Sequence, residues 1–344
     1  MVTRINLALQ GGGAHGAFTW GVLETLLAAP GIEIAGISGT SAGALNGAAL
    51  KAGMIAGGRE GAKAELDLLW TRVGALGDQR LQGWMQPFMP YVGSMMQAVN
   101  TFMPFSAPGI AAQVFSPYAY GPHWKNPLDR VVRRFQFENV CAYDGPRLFV
   151  SATNVRSGKI RVFSGEEITA EAILASACLP TMFQAVEIDD PRTGRREAFW
   201  DGGYSGNPAL FPLFEPDLPD DIVVVSINPL YRDDIPQTPL EIQDRINEIS
   251  FNSSLLRELR AIHFVKELIA GGQIARGTMK DVRMHLISDD ALMTDLSSAT
   301  KVSATPLLLH RLHEAGKIAG QKFLDKHGAD LGKRTTIDMP SMFS

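Results

Sequence analysis

Cysteine is almost missing from this sequence: Cys141 and Cys178 are the only two in 344 residues. Two such distant thiols cannot build a disulfide framework, and they form no CxxC metal or redox motif. Long apolar runs are missing too, and without a stretch of about 18 apolar residues no membrane span is expected. The opening MVTRINLALQGGG meets a glycine turn after one short apolar run. It lacks the charged, apolar and cleavage regions of a signal peptide, so the expected location is cytoplasmic. Charge of one sign is absent as well: 32 Lys and Arg face 36 Asp and Glu, a formal charge of −4. That balance gives no electrostatic footprint for nucleic acid, which is excluded as a partner. No repeat or low-complexity linker divides the chain.

What is present is an ordinary globular mixture, 45% apolar and 20% charged, and its 34 glycines suit many tight strand-to-helix turns. Residues 5–10 (INLALQ) read as a short buried strand, followed by a glycine turn and AHGAFTWGVLETLLAA with apolar residues at helical spacing. EIAGIS (33–38) reads as a second strand, and GTSAGALNGAALKAG opens a second helix. A βαβα start predicts an α/β fold with a parallel sheet and helices on its faces.

Further along, 128–137 (LDRVVRRFQF) reads as a helix and RLFVSATNV with KIRVFS as a hairpin around Ser157-Gly158. TAEAILASACL reads as a helix ending before Pro180, and VEIDD with EAFWD as a second hairpin. DIVVVSINP supplies a buried strand, 241–270 a long amphipathic helix, VRMHLIS a late strand and 304–327 a last helix. Between Trp84 and Trp124, nine aromatic residues, five methionines and six prolines crowd together with few charges. Loops and short helices are expected there, serving either as core packing or as an acyl groove or lid.

Gly39-Thr40-Ser41-Ala42-Gly43 matches GxSxG and falls between a predicted strand and a predicted helix. A nucleophile elbow needs a sharp turn there to lift the serine hydroxyl off the sheet, with glycines relieving the crowding. The pentapeptide alone also fits a small-residue turn with Ser41 as a helix cap. Gly11-Gly12-Gly13-Ala14-His15-Gly16 ends the first strand, so its amides should face the same carboxyl edge of the sheet, where an oxyanion formed from an ester carbonyl would need donors. The same string satisfies GxGxxG. The second strand, however, ends in Ile37-Ser38-Gly39-Thr40 rather than in the acid a dinucleotide ribose requires.

A base for Ser41 is harder to find. Among the seven histidines, His15, His123, His263, His285, His310, His313 and His327, none stands out by position. Asp201 ends a short strand and is followed by Gly202-Gly203 and then Asn207-Pro208, a tight turn able to aim a carboxylate at a neighbour. A carboxylate within hydrogen-bond reach can take the serine proton directly. An ordinary Asp-Gly turn is the competing reading.

Taken together, GGGAHG, GTSAG and DGG in this order and spacing resemble the patatin-like phospholipase family. ASACLPTMF (175–183) and DGGYSGNPAL extend the similarity, which runs from about residue 5 to 228. The resemblance implies a three-layer α/β/α fold around a mostly parallel sheet and a serine acyl-ester hydrolase with a Ser-Asp dyad. It would release fatty acid from phospholipid, lysophospholipid or related lipid esters without cofactor or metal. Carried over by position, Ser41 is the nucleophile, Asp201 the base, and the Gly11, Gly12 and Gly13 amides form the oxyanion hole, with Gly16, Gly39, Gly43, Gly202 and Gly203 supporting the turns. Many members carry Arg where this chain has His15, which puts any help from that charge in doubt.

Residues 1–230 are expected to form the catalytic core, and 231–344 a C-terminal helical extension packed on it within one continuous domain. Arg130, Arg133 and Arg134 offer either a phosphate contact or a solvated helix face. The expected partner is a lipid or acyl-ester substrate, met through peripheral contact with a membrane. Two rivals are a catalytically silent lipid-binding or interaction protein on the same fold and a short-chain carboxylesterase.

Overall fold

The computed structural model describes residues 2–83, 117–120, 126–233, 235–296, 300–301 and 303–343. The aromatic stretch 84–124 therefore lies outside the described residues apart from the 3-10 turn Pro117–Tyr120.

The chain begins with β1 (Thr3–Leu9), a 3-10 turn at Gly13–His15, α1 (Gly16–Ala28), β2 (Ile32–Thr40) and α2 (Ala42–Gly83). α2 breaks at Gly57 and Gly58, whose backbone angles leave the helical region. Two antiparallel hairpins follow the expected pairing: β3 (Arg147–Asn154) with β4 (Ile160–Ser164), and β5 (Val186–Asp190) with β6 (Arg195–Asp201). Between them lies α3 (Ala170–Ser176), capped by the Thr169 side chain. β7 (Asp221–Val225), α4 (Pro239–Ala270), β8 (Arg283–Ile287) and α5 (Pro306–His327) complete the main elements.

The eight strands form one sheet in the order β5-β6-β3-β2-β1-β7-β8, with β4 beside β3. β3, β2, β1, β7 and β8 are mutually parallel. Side chains alternate across a strand, so each buried strand feeds two cores. Ile5, Leu7 and Leu9 of β1 with Val223 and Val225 of β7 pack into one core, which also holds Phe18, Val22, Leu66, Leu69 and Leu312 from α1, α2 and α5. Ala8, Ile222 and Val224 face the other way, against Leu255, Leu259 and Ile262 of α4. The fold is a three-layer α/β/α sandwich around a mostly parallel sheet.

Residues beyond 230 enter every layer of this sandwich. β8 pairs with β7, α4 covers one face, and α5 lies on α1 so closely that a β-carbon at Gly21 would strike the His313 carbonyl. A buried Asp221 ties the far edge together, with its carboxylate bonded to His285 Nε2 at 3.0 Å, Arg283 at 2.8 Å and the Gly332 N–H at 2.7 Å.

One predicted helix is not continuous. The 128–137 segment forms two short turns, Asp129–Val132 and Phe137–Val140. The chain leaves the first so that Phe135 is buried, a case of tertiary packing overriding local periodicity. Arg133 bonds Asp129 and Glu171 at the surface and is thereby engaged within the protein.

Candidate active site

A single residue, Ser41, separates the end of β2 from the start of α2. Its φ of 54° makes it the one non-glycine residue with positive φ among the described residues. For a residue with a β-carbon, that conformation costs of order 1–3 kcal/mol and persists only where the surroundings impose it. Here the Ser41 N–H donates to Ser176 Oγ at 2.9 Å, the Ser41 carbonyl accepts from the Leu45 N–H at 3.1 Å, and the preceding Thr40 hydroxyl donates to the Gly206 carbonyl at 2.7 Å. Close packing closes the turn: a β-carbon at Gly39 would lie 2.5 Å from the Gly43 carbonyl oxygen, and one at Gly43 would strike the Leu9 carbonyl. Ser41 itself is 8% exposed and stands at the N-terminus of a long helix, the positive end of its dipole.

Asp201 reaches the same place from the opposite direction. β2 runs parallel to β3 and pairs its final residue Thr40 with Ser151, whereas β6 runs antiparallel to β3 and pairs its final residue Asp201 with Ala152. Two strands therefore meet end to end along one edge of β3, and the residues at their carboxyl ends come together. The turn after Asp201 is stitched down by the Thr153 hydroxyl on the Asp201 carbonyl at 2.8 Å and by the Ser38 hydroxyl on the Ala209 carbonyl at 2.6 Å.

The Asp201 carboxylate is 1% exposed. Oδ1 accepts from the Gly203 N–H at 2.7 Å, while Oδ2 is buried without a fully formed hydrogen bond. Burial raises the acid from its ordinary 3.8 to about 7, against the opposing pull of the Gly203 N–H and the Ser41 hydroxyl. The contact from the Ser41 hydroxyl is thus close enough to favour the carboxylate, yet looser than a standard hydrogen bond. A hydroxyl beside a buried carboxylate that titrates near neutrality can pass it a proton.

The glycine turn after β1 sits beside this pair because Leu9 pairs with Gly39. A β-carbon at Gly11 would lie 2.7 Å from the Ser41 β-carbon, so only glycine fits. Gly16 is equally confined, 2.6 Å from the Ala42 β-carbon by the same measure, which seats α1 against α2. The three amides proposed as anion donors are not equivalent. The Gly11 N–H already donates to Asn207 Oδ1 at 2.6 Å and is removed from that role, whereas the Gly12 and Gly13 N–H groups have no partner among the described residues.

Several residues near the site carried no role in the sequence. Ser176 and Asn207 fall inside segments marked for their likeness to the family, but nothing local shows that they bond Ser41 and Gly11. Asn228 follows β7, and the carboxyl end of a parallel strand was the one available pointer to it. His15 is buried, bonds Thr300 Oγ1 at 2.7 Å, and is lowered to about 3 by burial and then by Lys301, so it is neutral at physiological pH. Among the described residues no histidine bonds Ser41 or Asp201: His263 meets Glu267, His285 Asp221, His313 Glu24 and His327 Asp330. His123 is outside the described residues. His310, His313 and Glu314 bring donor atoms within 4.8 Å of one another on α5, where a metal ion could be held.

A family model described as Patatin-like phospholipase matches residues 7–214, a span that contains Ser41, Asp201 and the glycine turn. The crystal structure of VipD from Legionella pneumophila is similar at 17% identity, covering 94% of this chain and 67% of that one with a TM-score of 0.39. No curated protein matches the sequence.

Proposed function

The chain belongs to the patatin-like phospholipase family, whose members are lipid acyl hydrolases, and from that premise we propose that it works as a Ser-Asp dyad esterase of the phospholipase A type. Ser41 Oγ attacks the acyl carbonyl while the ionised Asp201 takes its proton. The carbonyl oxygen gains negative charge and is met by the Gly12 and Gly13 amides, assisted by the N-terminus of α2. Collapse of the tetrahedral intermediate breaks the ester bond, and the proton held by Asp201 passes to the leaving alcohol. Water then gives a proton to Asp201 and attacks the acyl-serine, and collapse of the second intermediate releases the fatty acid as Asp201 returns that proton to Ser41 Oγ.

The observation that carries this reading is the end-to-end meeting of β2 and β6 along β3, which brings a serine in a strained backbone conformation against a buried acid. A looser contact in the resting protein suits a base that tightens on its partner during reaction. The substrates are phospholipids, lysophospholipids or related lipid esters, met at a membrane surface. No described helix is long and apolar enough to cross a membrane. Peripheral contact is supported by Ile242, Ile246 and Ile249, exposed at helical spacing on α4.

The decisive experiment is turnover of a nitrophenyl ester chain-length series beside a phospholipid and lysophospholipid panel, with Ser41→Ala and Asp201→Asn as controls. Both variants lose hydrolysis, and wild type is labelled at Ser41 by a fluorophosphonate. Absence of labelling and turnover would favour a silent lipid binder, and preference for short soluble esters would favour a carboxylesterase.

A further inference from the structure

Gly11 is gripped on both sides of its backbone by side chains from distant parts of the chain. Its N–H donates to Asn207 Oδ1 at 2.6 Å, and its carbonyl accepts from Asn228 Nδ2 at 2.8 Å and from Asn207 Nδ2 at 3.4 Å. Both asparagines are buried and held in turn. The Asn207 N–H donates to Ser254 Oγ at 3.0 Å, Asn228 Nδ2 also donates to Gln10 Oε1 at 3.1 Å, and Asn228 Oδ1 accepts from Lys301 Nζ at 3.0 Å. Gln10 Oε1 collects the Ser226 hydroxyl and the N–H groups of Ile227 and Asn228 as well.

A trans peptide is planar, and its C=O and N–H point in opposite directions. Anchoring the Gly11 carbonyl toward Asn228 therefore turns the Gly12 N–H the other way. The next peptide repeats the device: the Gly12 carbonyl accepts from the His15 N–H at 3.2 Å, which turns the Gly13 N–H away from His15. Buried backbone donors in folded proteins are nearly all paired, so the N–H of Gly12, a buried residue, left without a partner among the described residues marks a place prepared for an acceptor, with the exposed Gly13 N–H beside it. We infer that Asn228, seconded by Asn207, is a positioning residue for the oxyanion hole, orienting the Gly11–Gly12 peptide so that the Gly12 N–H faces the carbonyl oxygen of an ester at Ser41. The inference rests on the assignment of Ser41 as the nucleophile.

Asn228→Asp is nearly isosteric, keeps an oxygen for Lys301 and removes both Nδ2 donations. The expected result is a fall in kcat of about 100-fold on a long-chain nitrophenyl ester, with KM changed less than about threefold. Asn207→Asp keeps the acceptor for the Gly11 N–H and falls less. The second readout is a long-chain trifluoromethyl ketone, to whose carbonyl carbon Ser41 Oγ bonds while Asp201 takes the proton and the ketone oxygen becomes an alkoxide. Its affinity should drop in parallel with kcat/KM, while the Kd for a free fatty acid stays within about threefold. Asn228→Ser, which introduces no buried charge, gives the same comparison if Asn228→Asp fails to fold. A kcat within threefold of wild type in the folded variant, or an equal loss of ketone and fatty-acid binding, overturns the inference. Full turnover by Ser41→Ala would instead overturn the nucleophile assignment, and the inference with it.

Discussion

The Ser176 hydroxyl, at the last residue of α3, accepts the Ser41 N–H at 2.9 Å across 135 residues of sequence. Both residues are buried, and the bond secures the turn whose φ of 54° would otherwise relax. Removing the acceptor leaves a buried N–H without a partner, at a cost of about 1–3 kcal/mol. Ser176→Ala should lose stability of that order in urea unfolding and lose turnover in step, because the hydroxyl of Ser41 is aimed by the same turn. A variant as stable as wild type would show that the turn is held without this bond.

The pH–rate profile follows from Asp201. Only the carboxylate can take the Ser41 proton, and burial places its ionisation at about 7. The kcat/KM for a soluble ester should therefore rise tenfold per pH unit below about 7 and level off above it. A flat profile between pH 5 and 8 would remove Asp201 from the base role.

Stability depends on the same group with the opposite sense. Between 3.8 and about 7 the unfolded chain has lost the Asp201 proton and the folded chain keeps it, so folding is favoured at the low end of that window. This contribution is full below 3.8 and is lost as pH rises through about 7. Glu258, raised to about 7 by burial against the opposing pull of the Leu210 and Phe211 N–H groups, acts in the same direction, so the comparison must be made by difference. Asp201→Asn should gain stability relative to wild type on going from pH 5 to pH 8, read from thermal midpoints at both. An unchanged difference would mean that the acid is ionised across the range.

Glycine substitutions separate contact from composition. Gly11→Ala drives a methyl to 2.7 Å from the Ser41 β-carbon and 2.8 Å from the Thr40 carbonyl, both in a rigid turn, and should abolish ester hydrolysis while lowering the thermal midpoint. Gly31→Ala meets nothing within 4 Å and should behave as wild type in both assays. Equal behaviour of the two variants would mean that the turn yields more readily than its packing indicates.

The chain order of strands and helices, the hairpins at Ser157-Gly158 and Arg192–Gly194, and the sharp turns at Gly39–Gly43 and Asp201–Gly203 were all legible in the residues. Each is a local matter: apolar period decides strand or helix, and glycine supplies the room a tight turn needs. The helix expected over 128–137 shows the limit, since burying Phe135 broke a pattern that looked regular.

What the residues could not disclose is partnership at long range. Three glycine amides are equivalent on paper, but a side chain 196 residues away takes one of them and leaves two. His15 looks like a cation in the place of arginine until burial and the nearby Lys301 hold it neutral. Asp201 looks like any turn aspartate until the register of β6 on β3 buries it at the end of β2. By itself the sequence determined where the sharp turns fall, because the room a tight turn needs is supplied by glycines a few residues away. Only the assembled sheet decided which donors stay unpaired and where an acid titrates, because hydrogen bonding and desolvation depend on whatever the fold brings within a few ångströms.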